Sequence, residues 1–355
     1  MRSSVLYVKR TKVRSQPLLF SFAALFGLLS ACGKSQTQTS STQAPTPLPE
    51  VRLGYFANVT HAQAVLGVSS GELQAALGPT HLATKVFNAG PELIEAMNAG
   101  AVDVGYVGPG PVLAAHVNSR GQAVRVISGS AANGVVIVAS KDSQIQSLSD
   151  LKGKRIATPQ LGNTQDVSAR HYVMAVLGQP DASNVKEVRN SEQSGMMVRG
   201  LIDAAWVPEP WGSRLMSETG AVLIAEEKDL WPDHEFSLTV VVTTPAFLAA
   251  HPEVIEKILA VHHQWTQRLN LDPLQYADQL NDALAALGGK KLPAAVIRGA
   301  LQRTRFTDDP LPKTFSTMEQ WSYALKFINS APELTDLFET DIIRKLAGTP
   351  ATAQP

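Results

Sequence analysis

Residues 200–211 run Gly200-Leu201-Ile202-Asp203-Ala204-Ala205-Trp206-Val207-Pro208-Glu209-Pro210-Trp211, and a similar motif, Gly100-Ala101-Val102-Asp103-Val104-Gly105-Tyr106-Val107-Gly108-Pro109-Gly110-Pro111, lies 100 residues earlier. In each copy a glycine ends a helix, a short apolar run typical of a buried strand follows, and a proline-containing turn ends that strand. Each copy therefore predicts a helix–turn–strand–loop unit whose loop leaves the carboxyl end of the strand. Ligands bind at that end of open α/β sheets, so two copies predict two similar lobes with facing loops.

Elsewhere, short apolar runs alternate with helical patterns as far as residue 243, and from Pro245 onward only helical patterns remain. Strands that alternate with helices favour parallel pairing. We therefore predict an α/β protein with two lobes, each a mostly parallel sheet flanked by helices, and a helical C-terminal region.

The same patterns predict four segments of different character. Residues 1–31 are expected to be a signal peptide and 32–49 a flexible tether. The first lobe is expected to be discontinuous, formed by 50–142 and 236–346, with 143–235 as the second lobe. A chain that leaves a lobe and returns to it makes two connections, which is the arrangement of a hinge.

The N-terminus has the features of a lipoprotein signal. Residues 1–16 contain five basic residues and no acidic one, and an apolar run from Leu18 to Leu29 follows. That run has the length of a secretory apolar region and is too short to cross a bilayer. Leu29-Ser30-Ala31-Cys32 resembles a bacterial lipobox, which implies cleavage before Cys32 and lipid attachment to it.

Composition narrows the function classes. Without residues 1–31 the chain has 26 basic and 31 acidic residues, a net charge of −5, and no basic cluster. This balance argues against nucleic acid as a partner. Cys32 is the single cysteine, so the fold has to be stabilised by core packing without disulfides.

Three loops are candidates for ligand binding because each precedes a predicted helix. They are Asn58-Val59-Thr60-His61, Gly108-Pro109-Gly110-Pro111 and Gly162-Asn163-Thr164-Gln165. Unpaired N–H groups and a partial positive charge at helix N-termini bind small oxyanions without a lysine or arginine. The alternative is that the asparagine and threonine side chains only cap their helices.

The side chains of the repeated motif leave two alternatives open. Tyr106 and Trp206, with Trp211 nearby, either form the wall of a pocket or belong to the core, where aromatic residues contribute most. Glu209 lies between two prolines at a strand end. It either accepts a hydrogen bond from a ligand N–H or caps or pairs with a group across the hinge.

Signals for catalysis are weak. The spacing of Gly67-Val68-Ser69-Ser70-Gly71 matches a hydrolase nucleophile turn, but a helix precedes it where that motif needs a strand. His251, His262 and His263 are predicted at the surface, and the adjacent pair cannot share one helix face. We therefore predict no catalytic residue, no metal site and no cofactor.

Several stretches together resemble the periplasmic binding proteins of ABC importers for sulfonates, taurine and nitrate. They are Asp150-Leu151-Lys152-Gly153-Lys154-Arg155-Ile156-Ala157, the loop at Gly162, and the two repeated motifs, the second ending in Glu209-Pro210-Trp211. The resemblance covers about residues 50–270. It implies a monomeric extracytoplasmic lipoprotein whose cleft closes on a small anionic ligand and delivers it to a permease driven by an ATPase.

The resemblance and the loops together assign the ligand site. The predicted ligand-binding residues are Asn58, His61, Gly108, Pro109, Gly162, Asn163, Thr164, Gln165, Glu209 and Trp211. The family often has serine or threonine at 108–111, where this chain has two glycines and two prolines. Two alternatives remain open, a binding protein for a thiamine-pyrimidine-like heterocycle held by Trp206, Glu209 and Trp211, and an enzyme of the same broad fold.

Overall fold

Two mixed β-sheets covered by helices form the framework of this protein in a computed structural model that describes residues 48–288, 290–330 and 334–348. Both sheets belong to the same unit of the chain, residues 47–355. The predicted signal peptide, the lipidation site at Cys32 and nearly all of the tether lie outside the described residues.

The strands are β1 (Glu50–Phe56), β2 (His81–Phe87), β3 (Val104–Val107), β4 (Arg125–Asn133), β5 (Val135–Ala139), β6 (Ile156–Thr158), β7 (Val185–Glu187), β8 (Ala204–Pro208), β9 (Val222–Glu226), β10 (Ser237–Thr243) and β11 (Thr304–Phe306). The helices are α1 (Ala62–Ser69), α2 (Glu72–Leu77), α3 (Gly90–Asn98), α4 (Pro109–Asn118), α5 (Thr164–His171), α6 (Asn190–Val198), α7 (Trp211–Thr219), α8 (Pro245–Ala250), α9 (Pro252–Leu271), α10 (Ala277–Gly288), α11 (Ala294–Arg303), α12 (Pro312–Ala324) and α13 (Asp341–Leu346). None of the described helices is long and apolar enough to span a membrane.

The two sheets have the same topology, which confirms the α/β fold with two similar lobes. The first sheet has the order β11-β4-β10-β3-β1-β2 and the second β7-β6-β8-β5-β9. Apart from the edge strand β11, each strand of the first sheet has a counterpart in the second. In both sheets the strand beside the repeated motif, β10 or β5, is antiparallel to its neighbours.

The repeated motif makes the same side-chain contact in both lobes. Asp103 accepts hydrogen bonds from the backbone N–H and the Nε of Arg52, both at 2.8 Å. Asp203 accepts the equivalent bonds from Arg155, at 2.8 and 3.0 Å. Asp103 therefore ties the start of β3 to a residue within β1, and Asp203 ties the start of β8 to the residue just before β6. The preceding Gly100 adopts a φ of 67°, which ends the helix as the sequence predicts.

The crossing into the second lobe lies earlier than the sequence predicted. Val135–Ala139 was assigned to the first lobe with the rest of 50–142, but β5 pairs with β8 and β9 in the second sheet. The chain crosses at Asn133 and Gly134, which both have positive φ, 62° and 75°. Because β5 and β10 are each the first strand after a crossing, each lobe receives its antiparallel strand from the chain that has just entered it.

The second crossing, residues 227–236, is anchored by a buried carboxyl group. The side chain of Glu227 is fully buried and accepts hydrogen bonds from Ser168 at 2.7 Å, Trp206 at 2.6 Å and Trp231 at 3.1 Å. Burial raises the pKa of Glu227 to about 7, although the three donors favour the ionised form. Trp206 is thereby assigned to the core of the second lobe.

The C-terminal helices cover the first sheet and connect the lobes. The core on one face of the first sheet includes Ile255 of α9, Ile297 of α11 and Ile343 of α13. Helix α12 contacts both α4 of the first lobe and α5 of the second. Its Trp321 stacks on His171, with ring centroids 4.2 Å apart.

Candidate functional site

A cleft opens between the carboxyl ends of the two sheets. Its empty space, counted together with the solvent at its mouth, is about 390 Å³. The lining residues are Phe56, Asn58, Thr60, His61, Asn88, Ala89, Gly90, Gly108, Pro111, Pro159, Asn163, Thr164, Gln165, Asn190, Pro208, Leu238 and Thr239. The structure thus brings together residues of all three predicted loops.

Four helices begin at this cleft. The first residues of α3 and α6, Gly90 and Asn190, and the N-cap residues of α4 and α5, Gly108 and Asn163, all line it. Their partial positive charges therefore converge on one space. His61 is the only ionisable side chain among the described residues that line the cleft.

The first turn of α4 offers few donors. Pro109 and Pro111 have no N–H group, and the N–H of Gly110 donates to Thr164 Oγ1 of the opposite lobe at 3.2 Å. The backbone of Gly108 lies so close to the Thr164 side chain that a Cβ on Gly108 would lie 2.3 Å from the same oxygen. The glycines therefore allow the two lobes to touch here, and the prolines withhold donors that a ligand would use.

The first turn of α5 keeps its donors. The Asn163 side chain caps the helix by accepting the N–H of Asp166 at 2.8 Å. The N–H groups of Thr164 and Gln165 precede the first intrahelical bond and have no partner within the described chain. The Gln165 side chain is only 6% exposed and makes no hydrogen bond to another described residue. The first turn of α5 therefore provides the largest group of available hydrogen-bond donors in the cleft.

His61 adds a neutral donor from the first lobe. The backbone N–H of Phe56 donates to its Nδ1 at 3.3 Å, which leaves the ring proton on Nε2. Burial lowers the pKa of His61 to about 3, so the ring is uncharged near neutral pH. Because only 2% of the residue is exposed, a ligand oxyanion in the cleft would accept from this ring without competition from bulk water.

Glu209 lies outside the cleft lining and is fully buried. It accepts hydrogen bonds from the N–H of Ser213 at 3.0 Å and from Arg303 Nη1 at 3.2 Å. Burial raises its pKa, and both partners oppose that shift. Of the two roles left open by the sequence, these contacts correspond to capping and pairing across the hinge.

The aromatic residues of the motif do not form the wall of the cleft. Tyr106 and Trp206 are buried in the core. Trp211 donates from Nε1 to Asn58 Oδ1 at 2.7 Å, so it contacts the site through a lining residue. The heterocycle hypothesis required Trp206, Trp211 and Glu209 to meet a ligand together, and this arrangement is not present.

The histidine prediction was partly wrong. His262 is 1% exposed, because it lies on the buried face of α9 and its Nδ1 is 2.9 Å from the hydroxyl of Tyr106. Asp308 lies near both His262 and His263. Among the described residues there is no group of three or more side chains suited to hold a metal ion.

Other site residues were predicted incompletely. Pro109 and Gly162 are next to lining residues without lining the cleft themselves. Asn88, Pro159 and Asn190 were missed, although each follows the carboxyl end of a strand, which is a usable signal. Leu238 and Thr239 lie within β10, where the sequence gives no sign of a site.

Comparison with known proteins identifies relatives over most of the chain. The model of the NMT1-like family matches residues 44–284. A protein of Brucella abortus, provisionally named as a binding protein, is 28% identical over 196 residues, 55% of this chain and 59% of that protein. The chain therefore spans less than two thirds of that relative. A Bacillus subtilis protein, provisionally named for binding aliphatic sulfonates, is 24% identical over 346 residues, 92% of this chain and 96% of its own.

Solved structures share the fold at low sequence identity. The alkanesulfonate-binding protein of Xanthomonas axonopodis, bound to MOPS, has a TM-score of 0.69 and 22% identity, covering 83% of this chain and 99% of that one. The periplasmic nitrate-binding protein of Synechocystis has a TM-score of 0.72 and 11% identity, covering 85% and 89%.

Proposed function

This chain belongs to the NMT1-like family, and on that premise we propose that it is the substrate-binding protein of an ABC importer that captures a small anion between its lobes. Relatives named for binding sulfonates, and structural neighbours that bind alkanesulfonate and nitrate, support this class of ligand. An aliphatic sulfonate, taurine and nitrate are the candidate ligands.

The observation that carries the proposal is the convergence of four helix N-termini on a cleft whose described lining contains no acidic side chain. Such a site stabilises negative charge through N–H groups. A ligand oxyanion would accept from Thr164 N–H, Gln165 N–H and the Gln165 amide on one lobe, and from His61 Nε2 on the other. Neutral donors suit a singly charged anion, because N–H groups can stabilise one negative charge without a positively charged side chain.

A titration panel tests the ligand class. Isothermal calorimetry of the protein with nitrate, taurine, methanesulfonate and a thiamine-pyrimidine should show one-site saturation by at least one of the three ligands that carry an oxyanion group. Binding of the pyrimidine alone would overturn the proposal.

Gln165→Glu should weaken anion binding on the order of a hundredfold. The substitution preserves the shape of the side chain but puts a negative charge in the cleft, and like charges about 4 Å apart repel by roughly 1–4 kcal/mol in a partly solvated site. Gln122→Glu is the matched control, since Gln122 is exposed outside the cleft. If both variants bind the anion as the native chain does, Gln165 has no role in binding.

The proposed location is outside the cytoplasm, with the protein anchored as a monomer through lipid on Cys32 and working with a permease and an ATPase. The basic and apolar segments before Cys32 support export and lipidation. Cys32→Ser should lose incorporation of labelled palmitate, because acylation needs the thiol, whereas Ser35→Ala should keep it. Labelling that persists in Cys32→Ser would contradict the lipid anchor.

A further inference from the structure

Arg303 reaches from one lobe to the other. It is the last residue of α11, which packs in the core of the first lobe. Its Nη1 lies 3.2 Å from Glu209 Oε1 and 3.1 Å from Ser213 Oγ, and its Nε lies 3.5 Å from Glu226. All three partners belong to the second lobe.

The carboxyl group that Arg303 meets is unusual for an ion pair between lobes, because it is fully buried. Glu209 is held within its own lobe by the N–H and hydroxyl of Ser213, at 3.0 and 2.9 Å. Exposed ion pairs contribute little, but removing one partner of a buried pair leaves an uncompensated group. Separating the lobes at this point would therefore be costly.

The pair lies at the first crossing between the lobes. Thr304, the residue after Arg303, pairs with Asn133 at the end of β4. The backbone N–H of Glu209 donates to the carbonyl of Gly134 at 2.8 Å. Both partners are therefore connected to the two residues at which the chain changes lobe.

We infer that Arg303 is a positioning residue that, by holding Glu209, keeps the lobes at the angle at which the cleft is closed. It sets ligand affinity without contacting the ligand, because neither Arg303 nor Glu209 lines the cleft. The expected effect of Arg303 on ligand affinity rests on the proposed function, whereas its expected effect on the angle between the lobes does not.

One hydrogen bond between the lobes reports whether the cleft is closed. The N–H of Gly110 in the first lobe donates to Thr164 Oγ1 in the second, and this contact is buried. When the lobes separate, that N–H loses its acceptor and meets solvent. Its hydrogen-exchange rate therefore measures the fraction of open molecules without any ligand.

Three variants test the inference in the full-length protein, namely Arg303→Met, Glu209→Gln and the double variant. In each, exchange at Gly110 should be about tenfold faster, and the double variant should be no faster than the singles because both remove one interaction. The double variant also guards against misfolding, since it leaves no unpaired charge from this pair. Arg305→Met is the control, as it breaks a nearby but more exposed pair with Glu235, and its exchange should be unchanged.

Unchanged exchange at Gly110 in folded Arg303→Met would overturn the inference, as would an equal change in Arg305→Met. For an anion that the native protein binds, the apparent Kd should rise by the factor by which the closed population falls. If exchange accelerates as expected but no anion binds even the native protein, the positioning role holds and the proposed function fails.

Discussion

Replacing Gly108 with alanine is expected to weaken ligand binding on the order of a hundredfold while leaving the protein folded. The new Cβ would lie 2.3 Å from Thr164 Oγ1 and 3.2 Å from the carbonyl of Leu238. Overpacking at such a contact costs roughly 1–3 kcal/mol, and every 1.4 kcal/mol is about tenfold in affinity. Because the contact joins the two lobes, this cost falls on closure and not on either lobe alone.

A second substitution tests whether the clash with Thr164 causes the loss of binding in Gly108→Ala. Thr164→Ala removes the oxygen that the new methyl group would strike, so Gly108→Ala should cost much less in the Thr164→Ala background than in the native chain. Calorimetry on the two single variants and the double variant gives this comparison directly. Equal losses in both backgrounds would show that the clash with Thr164 is not the reason.

Gly212→Ala is expected to destabilise the fold by about 3 kcal/mol, which thermal or urea unfolding would detect. Gly212 is the second residue of α7, and a Cβ there would lie 1.9 Å from Cγ2 of the fully buried Val136 on β5. Neither residue lies at the surface of the second lobe, so relief requires α7 to move away from the sheet.

Gly195 provides the matched control for Gly212. It also lies in a helix, α6, but an added Cβ would have no neighbour within 4 Å. Gly195→Ala should therefore stabilise the protein by about 0.5–1 kcal/mol, the usual gain in helix propensity. Val136→Ala combined with Gly212→Ala should recover part of the loss, and no recovery would argue against the contact with β5.

The repeated motif was enough to predict two similar lobes, because glycine, a short apolar run and a proline turn are local signals. The structural role of the aspartate in this motif could not be predicted, since Asp103 binds Arg52 and Asp203 binds Arg155, each about 50 residues earlier. Such partners are chosen by the strand order, which a single sequence does not show.

The boundary between the lobes was misplaced for a physical reason. β4 and β5 are separated by a single residue, Gly134, so the pattern resembles one long buried run or a hairpin within one sheet. Only the positive φ of Asn133 and Gly134, together with pairing to β8, shows that the chain changes sheets there.

The candidate site was predicted where helix starts follow strands and missed where strands themselves face the cleft. Asn58, Asn163 and Gln165 belong to the first kind, and Leu238 belongs to the second. Glu209 was noticed as unusual from its two flanking prolines, but its partner Arg303 lies 94 residues away. Its role therefore depends on tertiary structure alone.

Each lobe receives its antiparallel strand, β5 or β10, only when the chain crosses into it. This affects the order in which the two sheets are completed during synthesis. The second sheet is contiguous and has all of its strands once residue 226 has been made. At that point β3 and β4 of the first sheet still have no strand between them, since β10 begins at Ser237 and the edge strand β11 ends at Phe306. The lobe that the chain starts first is thus the one that it finishes last, with its longest-range pairings formed at the end.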